Sequence, residues 1–218
     1  DRMTITQNKR LMIDALIVLG FVLSMSYSLI GKALHEWVGL ATLALFMGHL
    51  GLNARFFAPH PKARGNRLRR TMLLFGALLV FVTLGLTVSS LLLSKYALAF
   101  LPFSGGTKAA TPHQICAYWG FLVMGLHLGL HWSAVGKTLL KKLRLEPYAP
   151  ALRYVGLALA LAGVVCLFAG DTLSFMTLQQ KAAPSFATQS LGINLATSLS
   201  LLSLTTLAGS KLKAWLVR

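Results

Sequence analysis

Six stretches of the chain are apolar and poor in charge. Each is long enough to cross a bilayer core, which takes about 20 helical residues. They cover roughly residues 11–30, 34–57, 71–94, 113–135, 151–170 and 190–209. This pattern predicts an all-α integral membrane protein of about six transmembrane helices. The fourth stretch is expected to open at Thr111-Pro112, a capping residue followed by a proline in the first turn. The sixth is the least apolar, with Asn194 and several serines and threonines. The first follows Arg2, Lys9 and Arg10 but exceeds a signal-peptide core and is followed by no small-residue cleavage pattern, so it reads as a retained helix.

Composition agrees with a lipid environment. Charged residues make up 12% of the 218 positions, about half the share of a soluble domain. The net charge is +16, from 21 basic and 5 acidic residues. These bases fall mainly between the apolar runs, so they read as topology signals and contacts to anionic headgroups. No basic face joins an aromatic platform, so nucleic acid is not an expected partner. Cys116 and Cys166 each sit inside an apolar run and read as small packing residues. No Cys-x-x-Cys-His occurs, which excludes c-type haem attachment.

Charge alternates along the connections. Residues 60–70 and 137–153 are densely basic, and the C-terminus carries Lys211, Lys213 and Arg218. The remaining connections hold Lys32, then Lys95 and Lys108, then Lys181. The positive-inside rule puts both termini and the dense loops in the cytoplasm. The second and fourth runs therefore point the same way.

Five of the six histidines lie in those two runs: His35, His49, His113, His127 and His131. His60 sits in a basic loop and reads as solvated. His35 and His49 are 14 residues apart, as are His113 and His127. On a helix that spacing returns to within about 40° of the same face and spans about 21 Å. On parallel helices His35 then lies level with His113, and His49 with His127. Two imidazoles at one depth can ligate an iron from both sides, and two depths predict two bis-histidine b-type haems in a four-helix bundle. His49-Leu50-Gly51-Leu52-Asn53 matches His127-Leu128-Gly129-Leu130-His131 except at its last position, at an offset of 78 residues. His35 and His113 share that offset. His131 is an alternative to His127 as ligand, or a donor to a propionate or quinone. Gly39, Gly48, Gly51, Gly120, Gly125 and Gly129 are either small surfaces beside a macrocycle or ordinary helix contacts.

Further candidates surround the histidines. Glu36, Trp37, Asn53, Arg55 and His131 could bond to ligands or propionates, and Arg55 with Arg67 to Arg70 could pair with the inner haem. Asp14 is costly in an apolar helix. It reads as a quinone proton acceptor or as an interfacial residue facing water, and Glu36 as a second possible acceptor. No phosphate loop, nucleophile elbow or metalloprotease helix occurs. The rival readings are a histidine-lined metal or proton transporter and a structural membrane anchor.

His35-Glu36-Trp37-Val38-Gly39-Leu40, His49 with Asn53, and Gly125-Leu126-His127-Leu128-Gly129-Leu130-His131-Trp132 resemble the flavinylation-associated transmembrane cytochromes. The wider plan is similar to the dihaem cytochrome b subunits of formate dehydrogenases and hydrogenases. The resemblance covers residues 11–135. It implies a dihaem core over 1–135; the two additional transmembrane helices expected over 136–218 lie outside the match. It also implies a bacterial or archaeal cytoplasmic membrane, and electron transfer between menaquinone or ubiquinone and an extracytoplasmic flavoprotein or multihaem cytochrome. Quinone oxidation or reduction would then belong to a larger oxidoreductase complex. Residues 95–112 and 171–189 are the expected docking loops.

Overall fold

A computed structural model describes residues 2–58, 66–102, 106–168, 172–177 and 191–218. Among them every regular element is helical. The order is α1 (Arg2–Met25), α2 (Tyr27–Leu52), α3 (Ala54–Phe57), α4 (Arg67–Leu93), α5 (Gly106–Lys142), α6 (Ala149–Phe168), α7 (Thr172–Met176) and α8 (Leu191–Leu216), with a 3-10 turn at Glu146–Tyr148.

Four stretches, Arg67–Leu93, Lys108–Lys142, Glu146–Phe168 and Gly192–Leu216, are long and apolar enough to cross a membrane. They give the chain the character of a multi-pass membrane protein. α1 and α2 are 24 and 26 residues long, but Lys9, Arg10 and Asp14 interrupt the first and Lys32, His35, Glu36 and His49 the second. The expected six apolar spans are thus four, plus two helices of spanning length that carry polar side chains.

The helix boundaries follow local chemistry. α1 stops at Ser26, which is fully buried and whose hydroxyl donates to Val22 O at 2.9 Å. The chain then bends at Gly31, whose φ of 70° suits a residue without Cβ. The first turn between helices therefore spans Ser26 to Gly31, earlier than the expected 30–34 junction. α2 ends at Asn53, well before residue 57, because Asn53 Nδ2 donates to His49 O at 2.8 Å and caps the last turn. Asn66 caps α4 by accepting from Arg69 N at 3.1 Å. α5 starts at Gly106, so Pro112 lies inside it rather than in its first turn. That early position leaves most of the helical ladder intact. At the other end Arg144 takes φ 55° and Leu145 N reaches back to Leu140 O at 2.9 Å, a left-handed stop. α5 thus runs on past residue 135.

α5 is the central helix, flanked by α4 and α8, with α6 on the far side of α8. α1 and α2 pack against each other as a hairpin. The core joins Val22 of α1, Leu79 of α4, Phe121, Val123 and Met124 of α5 and Leu201 of α8. The weak apolarity of α8 has a packing reason. Its Asn194, Ser198, Ser200, Thr205 and Thr206 are buried, while Ile193 and Leu199 face outward. Small polar side chains let helices approach closely. The Thr205 hydroxyl donates to Leu201 O at 2.8 Å, so it stays satisfied without water.

The tightest crossing is between α5 and α8. A Cβ on Gly129 would meet Thr206 O, and Gly209 Cα at 2.8 Å. Both obstacles are backbone and cannot rotate away. Gly129→Val is therefore expected to destabilise the fold by roughly 1–3 kcal/mol, read as a lower thermal midpoint in detergent. Gly156→Ala, where a Cβ meets nothing within 4 Å, is expected to leave that midpoint unchanged.

Candidate functional site

The histidine stripe of α2 runs through His35, Gly39, Thr42, Phe46 and His49, positions within about 40° of His35 around the helix. It faces α1 and α5. The backbones of α2 and α5 hardly approach each other directly, so side chains must span the space between them. One turn from His49, Phe46 does so by packing on the core around Val22, Phe121 and Met124. The imidazoles occupy the space on either side of Phe46.

At one level His35 faces His113, with ring centroids 6.1 Å apart and planes at 68°. The Tyr27 and His35 ring centroids lie 5.2 Å apart, with the planes at 76°. His113 Nδ1 lies 3.2 Å from Ser89 Oγ and 3.3 Å from Ser90 Oγ. The single Ser89 hydroxyl proton is directed to Gly85 O at 2.7 Å. Ser89 Oγ therefore accepts from His113 Nδ1–H, a tautomer assigned from this network. That choice leaves the Nε2 lone pair of His113 free as a metal donor. His35 Nδ1 is buried and has no hydrogen-bond partner.

Glu36, next in the chain, turns away from this pair. Its carboxylate accepts from Ser94 Oγ at 2.7 Å and from the backbone N–H groups of Lys95, Tyr96 and Ala97, each at 2.9 Å. These bonds latch α2 to the end of α4, two helices that otherwise pack little. Glu36 is thereby a structural anchor, and a carboxylate filled by four donors is a poor proton acceptor.

At the second level His49 Nδ1 lies 2.6 Å from Asp14 Oδ1 of α1. Neither expected role of Asp14, water-facing residue or proton acceptor, includes this partner. Across the space, His127 and His131 have ring centroids 4.8 Å apart. His127 lies within electrostatic reach of His131, His49 and Asp14, and its Nδ1 is buried without a partner. His131 lies within reach of Lys213 as well as Asp14 and His49. Lys213 Nζ donates to Ser133 Oγ at 2.8 Å. The first expected pair, His35 with His113, is thus brought face to face, and His49 comes within electrostatic reach of both His127 and His131.

The other candidates separate. Gly39 lies on the stripe, and a Cβ there meets nothing within 4 Å. Gly51, two residues beyond His49, lies about 200° from it around the helix and faces away. Gly129 faces away from His127 for the same reason and packs on α8, so neither lines the histidine space. Gly120 and Gly125 are also packing positions, against Val82 and Thr205. Asn53 caps α2. Arg55 is exposed on α3. Arg69 donates to Phe56 O at 3.0 Å and Ala58 O at 2.8 Å, tying α3 to α4 rather than reaching the histidines. Trp37 is exposed. His60, Lys181 and most of the expected 171–189 docking loop lie outside the described residues.

Sequence reasoning missed Ser89 and Ser90. Their signal was two adjacent hydroxyls near the end of an apolar run, at the depth of His113. Among the described residues no group of three or more His, Cys, Asp or Glu converges as a metal cluster. The arrangement is instead one facing imidazole pair, His35 and His113, and a second group in which His49, His127 and His131 lie within electrostatic reach of one another.

The Glu36 latch can be tested by itself. Glu36→Gln is expected to speed amide hydrogen exchange at Lys95, Tyr96 and Ala97 by roughly tenfold, the effect of losing charge-assisted bonds worth about 1.5 kcal/mol. Peptides from α8 serve as the unchanged control. Comparison with family models, curated proteins and solved structures finds no match to this chain.

Proposed function

We propose that this chain is a transmembrane dihaem cytochrome b that passes electrons between the quinone pool and an extracytoplasmic redox partner. The observation that carries the reading is the opposed pair His35 and His113, 6.1 Å apart between ring centroids, with His49 and His127 at a second level. Two metal–imidazole bonds of about 2 Å, the usual length for imidazole on a first-row metal, together with the ring radii fill about that separation. The donor chemistry fits as well. His113 and His49 each have Nδ1 engaged by an acceptor, which leaves Nε2 as ligand. Gly39 provides an open surface on the stripe. The buried Nδ1 atoms of His35 and His127 lack hydrogen-bond partners within the protein, so each ring keeps a nitrogen uncommitted.

In this reading α1 and α2 cross the membrane with the four more apolar helices, and their polar residues serve the two sites. Exposed Trp132, Tyr148, Tyr154 and Trp215 at one end, and Trp37, Tyr96 and Phe100 at the other, suit the two interfacial belts. The densely basic connections and both termini lie in the cytoplasm. His35 and His113 hold the outer haem and His49 and His127 the inner one. Bis-imidazole haem supplies one-electron chemistry without an open coordination position. His131 and Lys213 flank the inner site, where they suit a propionate or a quinone oxygen. Tyr96 and Phe100, both exposed, present the outer docking surface for a flavoprotein or multihaem cytochrome. This assignment accords with the resemblance to flavinylation-associated cytochromes.

One observation favours a second reading. Asp14, His49, His127 and His131 form a row of titratable groups, as a proton pathway needs. The same experiment separates the two. Purified chain is expected to give a reduced-minus-oxidised b-type spectrum and about two haems per chain by pyridine haemochrome, with His49→Ala and His113→Ala each removing a different one. A folded preparation from haem-replete cells that holds no haem would turn the assignment to the proton pathway.

A further inference from the structure

The two sites are alike in their imidazoles and unlike in what stands behind them. His113 leans on two neutral hydroxyls, from Ser89 and Ser90. His49 leans on a carboxylate, with Asp14 Oδ1 2.6 Å from its Nδ1. Contacts on both sides of Asp14 fix its place beside His49. On one side α1 and α2 meet where a Cβ on Gly20 would strike the Thr42 side chain. On the other, Arg10 Nη2 donates to Leu52 O at 3.0 Å. The helices are antiparallel, so these two contacts pin their register above and below the pair. Arg10, the basic residue one turn from Asp14, spends that donor on the Leu52 carbonyl. His49 is the only hydrogen-bond partner of the Asp14 carboxylate given by the described residues.

We propose that Asp14 is the positioning residue of the inner site and holds its redox potential below that of the outer site. The inference rests on the dihaem reading. An imidazole whose Nδ1–H points into a carboxylate is a more electron-rich ligand than one bonded to a hydroxyl. It stabilises the more positive charge of an oxidised metal, which lowers the potential. The carboxylate also fixes the ring with Nε2 directed at the space facing His127. Asp14 therefore acts through His49 and touches neither metal nor substrate. It makes the outer level the more favourable place for an electron, and so orients transfer outward.

The test is a redox titration of the full-length chain in detergent, beside Asp14→Asn and Asp14→Leu. Asparagine keeps an oxygen acceptor without the charge; leucine keeps neither. Wild type is expected to show two midpoint potentials, and His49→Ala is expected to remove the lower. Asp14→Asn should retain two haems, raise the lower potential and leave the higher in place. Asp14→Leu should reduce the haem count from two towards one, losing the same centre that His49→Ala loses. Two haems with unchanged potentials in Asp14→Asn, or a shift in the centre that His113→Ala removes, would overturn this role and leave the dihaem reading standing. No haem in the wild-type chain would overturn both.

Discussion

The backbone-to-backbone crossing of α5 and α8 at Gly129 and Gly209 decides how the rest of the molecule can be arranged. A helix that presents glycines to one neighbour must present its other residues elsewhere. Gly125 and Gly129 turn to α8, where Thr205, Thr206 and Gly209 receive them. His127 and His131 are then directed to the other side, towards α1 and α2. On the flank formed with α4, Gly120 meets Val82. With both flanks of α5 committed, a single face is left for the histidines. The α1–α2 hairpin closes over that face without packing tightly into it.

Surroundings without water impose a second demand. Each polar group must find its partner inside the protein or pay for its absence. Most do so locally, as the hydroxyls of Thr42, Ser89 and Thr205 bond carbonyls in the preceding turn. The two carboxylates described in the hairpin solve the problem over longer distances. Glu36 takes four donors at the end of α4, and Asp14 takes His49. Each lies beside a candidate ligand in the chain or in space, so both carboxylates have an assigned partner. Against this background the unpartnered Nδ1 atoms of His35 and His127, with Thr206 Oγ1, stand apart.

Much of the histidine arrangement was legible in the sequence. Equal spacing in two runs of the same predicted direction implied two matched levels, and His35 does face His113. The glycines were less legible because a repeated motif does not say which way each member points. Gly51 and Gly129 stand two residues from a histidine, and helical geometry alone turns them away from it. Ends of helices were misjudged where a side chain closes the last turn, as Asn53 does, or where a proline is tolerated inside a helix, as Pro112 is. Asp14 was visible as an anomaly, but its partner comes from another helix and depends on the register set by Gly20 and Thr42. Ser89 and Ser90 looked like tolerated polar residues, since only the fold brings α4 beside His113.

Phe46 has a consequence for permeability. With Val22, Phe121 and Met124 it forms a dry layer between the two histidine levels. A hydrated ion entering that layer would have to shed its water with nothing to replace it, at a cost of many kcal/mol. In the dihaem reading such a layer opposes the passage of protons and metal ions. An electron needs no hydration shell and no continuous polar path. In that reading the same few apolar side chains select the kind of charge that can cross.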